Sequence, residues 1–200
     1  MAEYGLVTGK SVNAFMANAG SLITELQKQP NVNPHVISEL FDLFEEVKNC
    51  ISKIEELEKK IKAVASDFKY YELFQSAPGV GPITAAMMLV LLCNPAVFKN
   101  GKEFSAYIGL APMSFGSGGN NIVTHIPSKV RCNNEVRALL VQCAHAITRS
   151  KHKSEWVSSI LMRKPRKVAV IAIANKLARQ LWAMASKGDK FEKRFVLAAV

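Results

Sequence analysis

The sequence predicts an all-α protein: a long coiled-coil-like helical arm followed by a compact helical domain that contains a helix-hairpin-helix motif. Three observations carry this. From His35 to Glu72 an apolar series runs at heptad spacing with no Pro or Gly to interrupt it. Beyond Tyr71 apolar residues recur at helical spacing, in segments separated by Gly and Pro, and no segment alternates convincingly as a strand would. The charge also divides: residues 1–70 carry 8 Lys+Arg and 10 Asp+Glu, residues 71–200 carry 18 and 6. A near-neutral arm, residues 1–72, thus gives way to a basic body, residues 73–200.

The arm begins with a modestly helical segment, Met1 to Pro30, punctuated by Gly5, Gly9 and Gly20. A turn follows at Asn31–Pro34. The long helix then places Leu40, Phe44, Val47, Ile51, Ile54, Leu57, Ile61, Val64 and Phe68 on one stripe. Their spacing alternates between four and three residues, with one extra step of three, a stammer in a heptad seam. Such a stripe needs a partner, either the Met1–Gln29 segment or a second subunit. Its length favours a homo-oligomer, dimer or higher, formed through residues 35–72.

Composition narrows the classes. The four cysteines, Cys50, Cys93, Cys132 and Cys143, are scattered and the four histidines complete no metal-ligand spacing, so reduced thiols and no metal in this chain are expected. Nothing resembles a signal peptide, and the apolar run Ala85–Cys93 is too short to span a bilayer, so a soluble cytoplasmic protein is expected. A net charge of +10 concentrated in the body points to a polyanionic partner, nucleic acid first, against a merely soluble basic surface.

Between two helical patterns lies Phe74-Gln-Ser-Ala-Pro-Gly-Val-Gly-Pro82. Gly79 and Gly81 flank the apolar Val80, and Pro82 suits the first position of a helix. Ala85, Ala86, Met88, Leu89 and Leu92 supply that helix's buried face. Helix, G-apolar-G, helix is the pattern of a helix-hairpin-helix. Glycines permit positive φ and close approach of a ligand, and free N–H groups at the second helix, around Thr84, would face a phosphate. The plainer reading is an interhelical turn.

Gly109 to Asn121 forms a glycine-rich loop that contains Ser117, Gly118 and Gly119. A serine between glycines is unhindered and can approach an electrophile. Lys129, Arg131 and Arg137 follow and could neutralise a phosphate. From chemistry alone a flexible loop explains the pattern as well. Further on, Arg137–Arg149 and Val168–Ala185 are helices. The basic knot Arg163, Lys164, Arg166 and Lys167 precedes the second of them and suits either phosphate contacts or a solvated turn. Lys176 and Arg179 fall on that helix's polar side, toward nucleic acid, and Asn175 on its apolar side as a satisfied amide. Trp156 and Trp182 are expected in the core.

Five blocks occur together in one order: PGVGPITA at Pro78–Ala85, Phe98–Pro112 ending in GLAP, SGG at Ser117–Gly119, Ser128–Val141, and Ala172–Trp182 with ANKLAR. This order resembles the transposases of insertion sequences 110 and 1111 and the related Piv-type DNA invertases, over about residues 74–190. The resemblance implies a C-terminal transposase domain whose serine nucleophile, here Ser117, forms a covalent link to DNA. It also implies an N-terminal RuvC-like domain, absent from this chain, with an acidic cluster that binds a divalent metal, Mg. DNA and a structured guide RNA would be the partners. This chain by itself would then lack half of a composite active site. The alternative is a non-catalytic DNA-binding and dimerisation module.

Overall fold

The structure, a computed structural model, describes residues 5, 7, 9, 11–112, 114–115, 122–123 and 133–191. The described residues are predominantly α-helical, as the periodicity predicts. The chain divides into two compact units, Met1–Lys59 and Lys60–Val200.

In the first unit, α1 (Val12–Gln27) is capped by Ser11, whose side chain accepts from Ala14 N–H. Gly20 lies inside this helix and does not punctuate it: a Cβ there would sit 3.6 Å from the Phe44 ring, so the missing side chain makes room for an aromatic neighbour. Helix α2 (Pro34–Ser66) spans 33 residues. Ile23, Leu26, Val32 and Ile37 form a small core, with Leu40 and Phe44 against it. Thus α1 covers the start of the α2 stripe. Farther along, Val47, Ile54 and Leu57 are exposed in this unit, as are Ile61, Val64 and Phe68 in the second.

The long helix ends earlier than its spacing predicts. Ser66 Oγ donates to Ala63 O at 2.9 Å, so its hydroxyl competes for helix carbonyls. Phe68 then adopts extended angles (φ −98°, ψ 129°), and a separate helix, α3 (Lys69–Gln75), begins. The bend follows from burial, since Ala65, Tyr71, Leu73 and Phe74 all join the core of the second unit. No Gly or Pro announces it.

The second unit is built around α8 (Arg166–Lys187), which packs against α3, α5 (Gly101–Tyr107), α6 (Asn134–Arg149), α7 (Glu155–Arg163) and a 3-10 turn at Pro95–Val97. Ten residues of α8 are buried, from Ala169 to Ala185. Helix α4 (Pro82–Leu91) packs on α3 and α6. At Gly101 the approach is close: a Cβ would lie 3.1 Å from Arg179 Cα, so only glycine lets α5 rest on the α8 backbone without displacement.

Two features went unpredicted. Ser114–Phe115 pairs antiparallel with Ile122–Val123, a two-rung ladder too short to show as alternation in sequence. Helix α7 was also missed; Ser154 caps it by accepting from Val157 N–H. Among the described residues no helix is long and apolar enough to cross a membrane.

Candidate nucleic-acid interface

The hairpin is set by backbone chemistry at three residues. Val80 N–H donates to Ala77 O at 3.2 Å, closing a turn with Pro78 and Gly79 at its centre. Gly79 has φ +74°, the left-handed conformation that a turn of type II needs at its third position. Gly81 is the N-cap of α4, no described side chain caps that end, and Pro82 occupies the first turn. The first-turn N–H groups of α4 that follow Pro82 thus have no side-chain cap among the described residues, at the positive end of the helix dipole.

The two glycines do different work. A Cβ on Gly79 would meet Cys143 O at 2.7 Å and Ile147 Cγ1 at 2.9 Å, so Gly79 docks the turn on α6. A Cβ on Gly81 would meet nothing within 4 Å. The Cβ side is thus open at Gly81 and filled by α6 at Gly79, whose backbone is otherwise exposed. Val80 is partly buried against the core.

Thr84 does not face outward as expected from sequence. It is buried, and its hydroxyl lies 3.5 Å from Cys143 Sγ. The shift from outer to inner face follows from its neighbours: Ala85 and Met88, fully buried, turn this side of α4 toward the core. Burial pushes the Cys143 thiol above its usual range, and hydrogen bonding to Thr84 opposes that shift. Cys143 thus joins the hairpin to α6 through its sulfur, which also meets the Gly81 backbone, while its carbonyl lies close against Gly79; no spacing in the sequence signals this role.

Lys176 also departs from its expected place. It is only 8% exposed. Its Nζ lies 4.0 Å from the centroid of the Trp156 ring on α7. Desolvation pushes its pKa below the usual lysine range, with the charge of Arg179 adding to the shift. Helical spacing put Lys176 on a polar face, but α7, unseen in the sequence, covers that face. We expect a double-mutant cycle of Lys176→Met and Trp156→Leu to give a coupling of about 1–2 kcal/mol in urea unfolding, as for a desolvated cation on an indole. Additive losses would show that the contact does not hold α7 on α8.

Arg179 is half-buried, its backbone against Gly101. Arg137 Nη2 donates to Asn134 Oδ1 at 2.9 Å, within the first turn of α6. Arg163, Lys164, Arg166 and Lys167 are all exposed where α7 ends and α8 begins. The first turn of α8 has no acid. Its cations therefore reinforce the positive helix dipole, an arrangement that costs stability and attracts anions. Asn175 Nδ2 donates to Leu110 O at 2.9 Å, the satisfied amide expected. Trp182 Nε1 donates to Pro95 O at 3.1 Å. Ser117, Gly118, Gly119, Lys129 and Arg131 lie outside the described residues. Among the described residues no three His, Cys, Asp or Glu side chains converge as a metal site.

Residues 71–158, from the hairpin to the first turn of α7, match the profile described as "Transposase IS116/IS110/IS902 family". The chain carries a transposase domain of this family. Curated transposases extend the similarity beyond the domain. A "probable family 20 transposase" of Pseudomonas aeruginosa is 30% identical over 194 residues, 94% of this chain and 56% of that protein. The transposase for insertion sequence element IS1328 of Yersinia enterocolitica is 29% identical over 176 residues, 86% of this chain and 52% of the relative. That for element IS1111A of Coxiella burnetii is 28% identical over 194 residues, 94% of this chain and 52% of the relative. The chain spans about half the length of these relatives. The transposase domain holds the hairpin, the Cys143 joint and the serine loop, while the basic turn into α8 follows it.

Proposed function

We propose that the chain is the DNA-joining half of a transposase, binding DNA on its basic body and supplying Ser117 as nucleophile. The observation that carries this reading is the family match across residues 71–158, which includes Ser117 in its Ser-Gly-Gly setting. The Ser117 hydroxyl attacks a phosphodiester phosphorus; the Oγ–P bond forms, the bond from phosphorus to the adjoining deoxyribose oxygen breaks, and the proton ends on that leaving oxygen. Lys129, Arg131 and Arg137 neutralise the charge that builds on the phosphoryl oxygens. The open N-terminus of α4, with Gly81, holds a backbone phosphate as a helix-hairpin-helix does, contributing position and no sequence reading. A divalent metal such as Mg belongs to the RuvC-like half that the family resemblance implies, and a structured RNA to target choice.

The test uses the full-length transposase with its RNA and donor DNA. Denaturing gels should reveal a covalent protein–DNA adduct, and Ser117→Ala should abolish it. Undiminished adduct in that variant would remove Ser117 from the mechanism.

Association through α2 is part of the same proposal. Ile54, Leu57 and Val64 leave a charged helix with an apolar stripe facing water (Val64 is 67% exposed), which a second copy would cover as a coiled coil. Sedimentation should give a dimer or larger, and Ile54→Glu with Leu57→Glu should give a monomer. A monomeric wild-type chain at micromolar concentration would end this part of the proposal.

A further inference from the structure

Helix α7 is the element that neither the hairpin nor the serine loop explains. Its inner face, Val157 and Ile160 with the half-buried Trp156 and Leu161, packs on the core. Its outer face is Glu155, Ser158, Ser159, Met162 and Arg163, at the spacing of one helical side, and all five are exposed. Met162 is 88% exposed, the largest value among the exposed apolar side chains of the described residues. With Lys153 these residues line a shallow groove of about 430 Å³.

Both ends of this groove are basic. Lys151 and Lys153 lie in the turn before α7, and Arg163, Lys164, Arg166 and Lys167 where α7 ends and α8 begins. Ion pairs among the described residues occur only on α2, so none of these six cations is neutralised by a described carboxylate. Glu155 is the single acid between them, placed in the first turn of α7, where it complements the helix dipole.

We infer that the outer face of α7 is a second docking surface for duplex DNA, with the two basic ends on the phosphates of opposite strands. The inference rests on the reading of the chain as DNA-binding and adds a surface to it. Geometry favours the duplex: nine residues of helix extend about 13 Å, close to the roughly 12 Å between strands across a major groove. Two small hydroxyls and a flexible thioether between the cations suit a groove floor. An unpaired strand would need an aromatic platform. The only aromatic on α7, Trp156, is turned inward under Lys176. That same contact fixes the rotation of α7 and so keeps its outer face outward.

The experiment measures binding of a fluorescein-labelled random-sequence duplex by this chain across a salt series, with a single strand of equal length in parallel. The variants are Lys151→Gln/Lys153→Gln, Arg163→Gln/Arg166→Gln and Met162→Glu, all on exposed side chains, with circular dichroism checking that helicity is kept. Lys99→Gln/Lys102→Gln removes the same charge from an exposed site elsewhere and serves as control. Each α7 charge pair should weaken duplex binding roughly tenfold to a hundredfold and lower the salt slope by about two, Met162→Glu should weaken it about tenfold, and the control should do neither. Wild-type affinity and slope in the α7 variants, equal losses in the control, or losses confined to the single strand would each overturn the inference. If the unaltered chain binds no duplex, the broader proposal of a DNA-binding body falls first.

Discussion

Gly79→Ala should destabilise the protein by roughly 2–5 kcal/mol, from about 1–2 for a left-handed backbone at a residue with a Cβ and about 1–3 for overpacking. Both terms act at one atom. The φ of +74° puts the new methyl in an unfavourable backbone region, and the same methyl meets Cys143 O at 2.7 Å. That neighbour is α6 backbone, which cannot rotate aside as a side chain would. Against a typical total of about 5–15 kcal/mol the loss is large. Gly81→Ala is the informative partner. Its φ of −92° suits any residue, and its Cβ would point into open space. Stability should change by less than about 1 kcal/mol, because the smaller freedom of the unfolded chain is offset by the poorer N-cap that alanine makes, while DNA affinity falls because the methyl occupies the side from which a phosphate approaches. Urea unfolding and duplex binding on the two variants separate a packing glycine from a binding one. Equal destabilisation by both would contradict the assignment.

Phe104→Ala should cost about 3–5 kcal/mol, as for deletion of a fully buried aromatic ring. Phe104 is inaccessible to solvent. It meets Phe98 edge-on, with ring centroids 5.1 Å apart, and Phe98 in turn meets Tyr107 at 5.3 Å. The helix that carries it is short and well tied. Asn100 accepts from Glu103 N–H, and Glu103 Oε2 accepts from Lys99 N–H at 2.7 Å. With α5 resting on Arg179 at Gly101, little room exists for collapse into the cavity. The unfolding midpoint should fall with the denaturant slope unchanged. A loss below about 1 kcal/mol would mean that α5 refolds around the gap.

Helical periodicity made the all-α class legible, together with the buried face of α6; on α8 the predicted stripe is off, since Val168 is exposed and only Ala178 and Ala185 of it are fully buried. At α6 Leu140, Cys143 and Ala144 are buried as their spacing predicts. Asn175 was also legible, because an amide on an apolar face needs an acceptor and finds Leu110 O. Four things were not. The bend at Asp67–Phe68 comes from burial of Tyr71 and Phe74 in the core of the second unit, which no local residue encodes. Helix α7 is short, and its outer face is polar except for Met162, so its pattern is faint. Missing α7 then misplaced Lys176, since one helix cannot reveal what covers it. Thr84 failed for the same reason: a place in the first turn after the glycines suggests a phosphate, and only the packing of α6 shows that its side chain meets Cys143 Sγ.

The bond from Asn175 to Leu110 has a consequence for how such a chain can diverge. It fastens the departure point of the serine-bearing segment to the most enclosed helix of the fold. Substitutions beyond Pro112 therefore leave the take-off position where it was, so the sequence after it can diverge while the scaffold stays constant. A change at Asn175 would release that anchor from a distance of 65 residues in sequence.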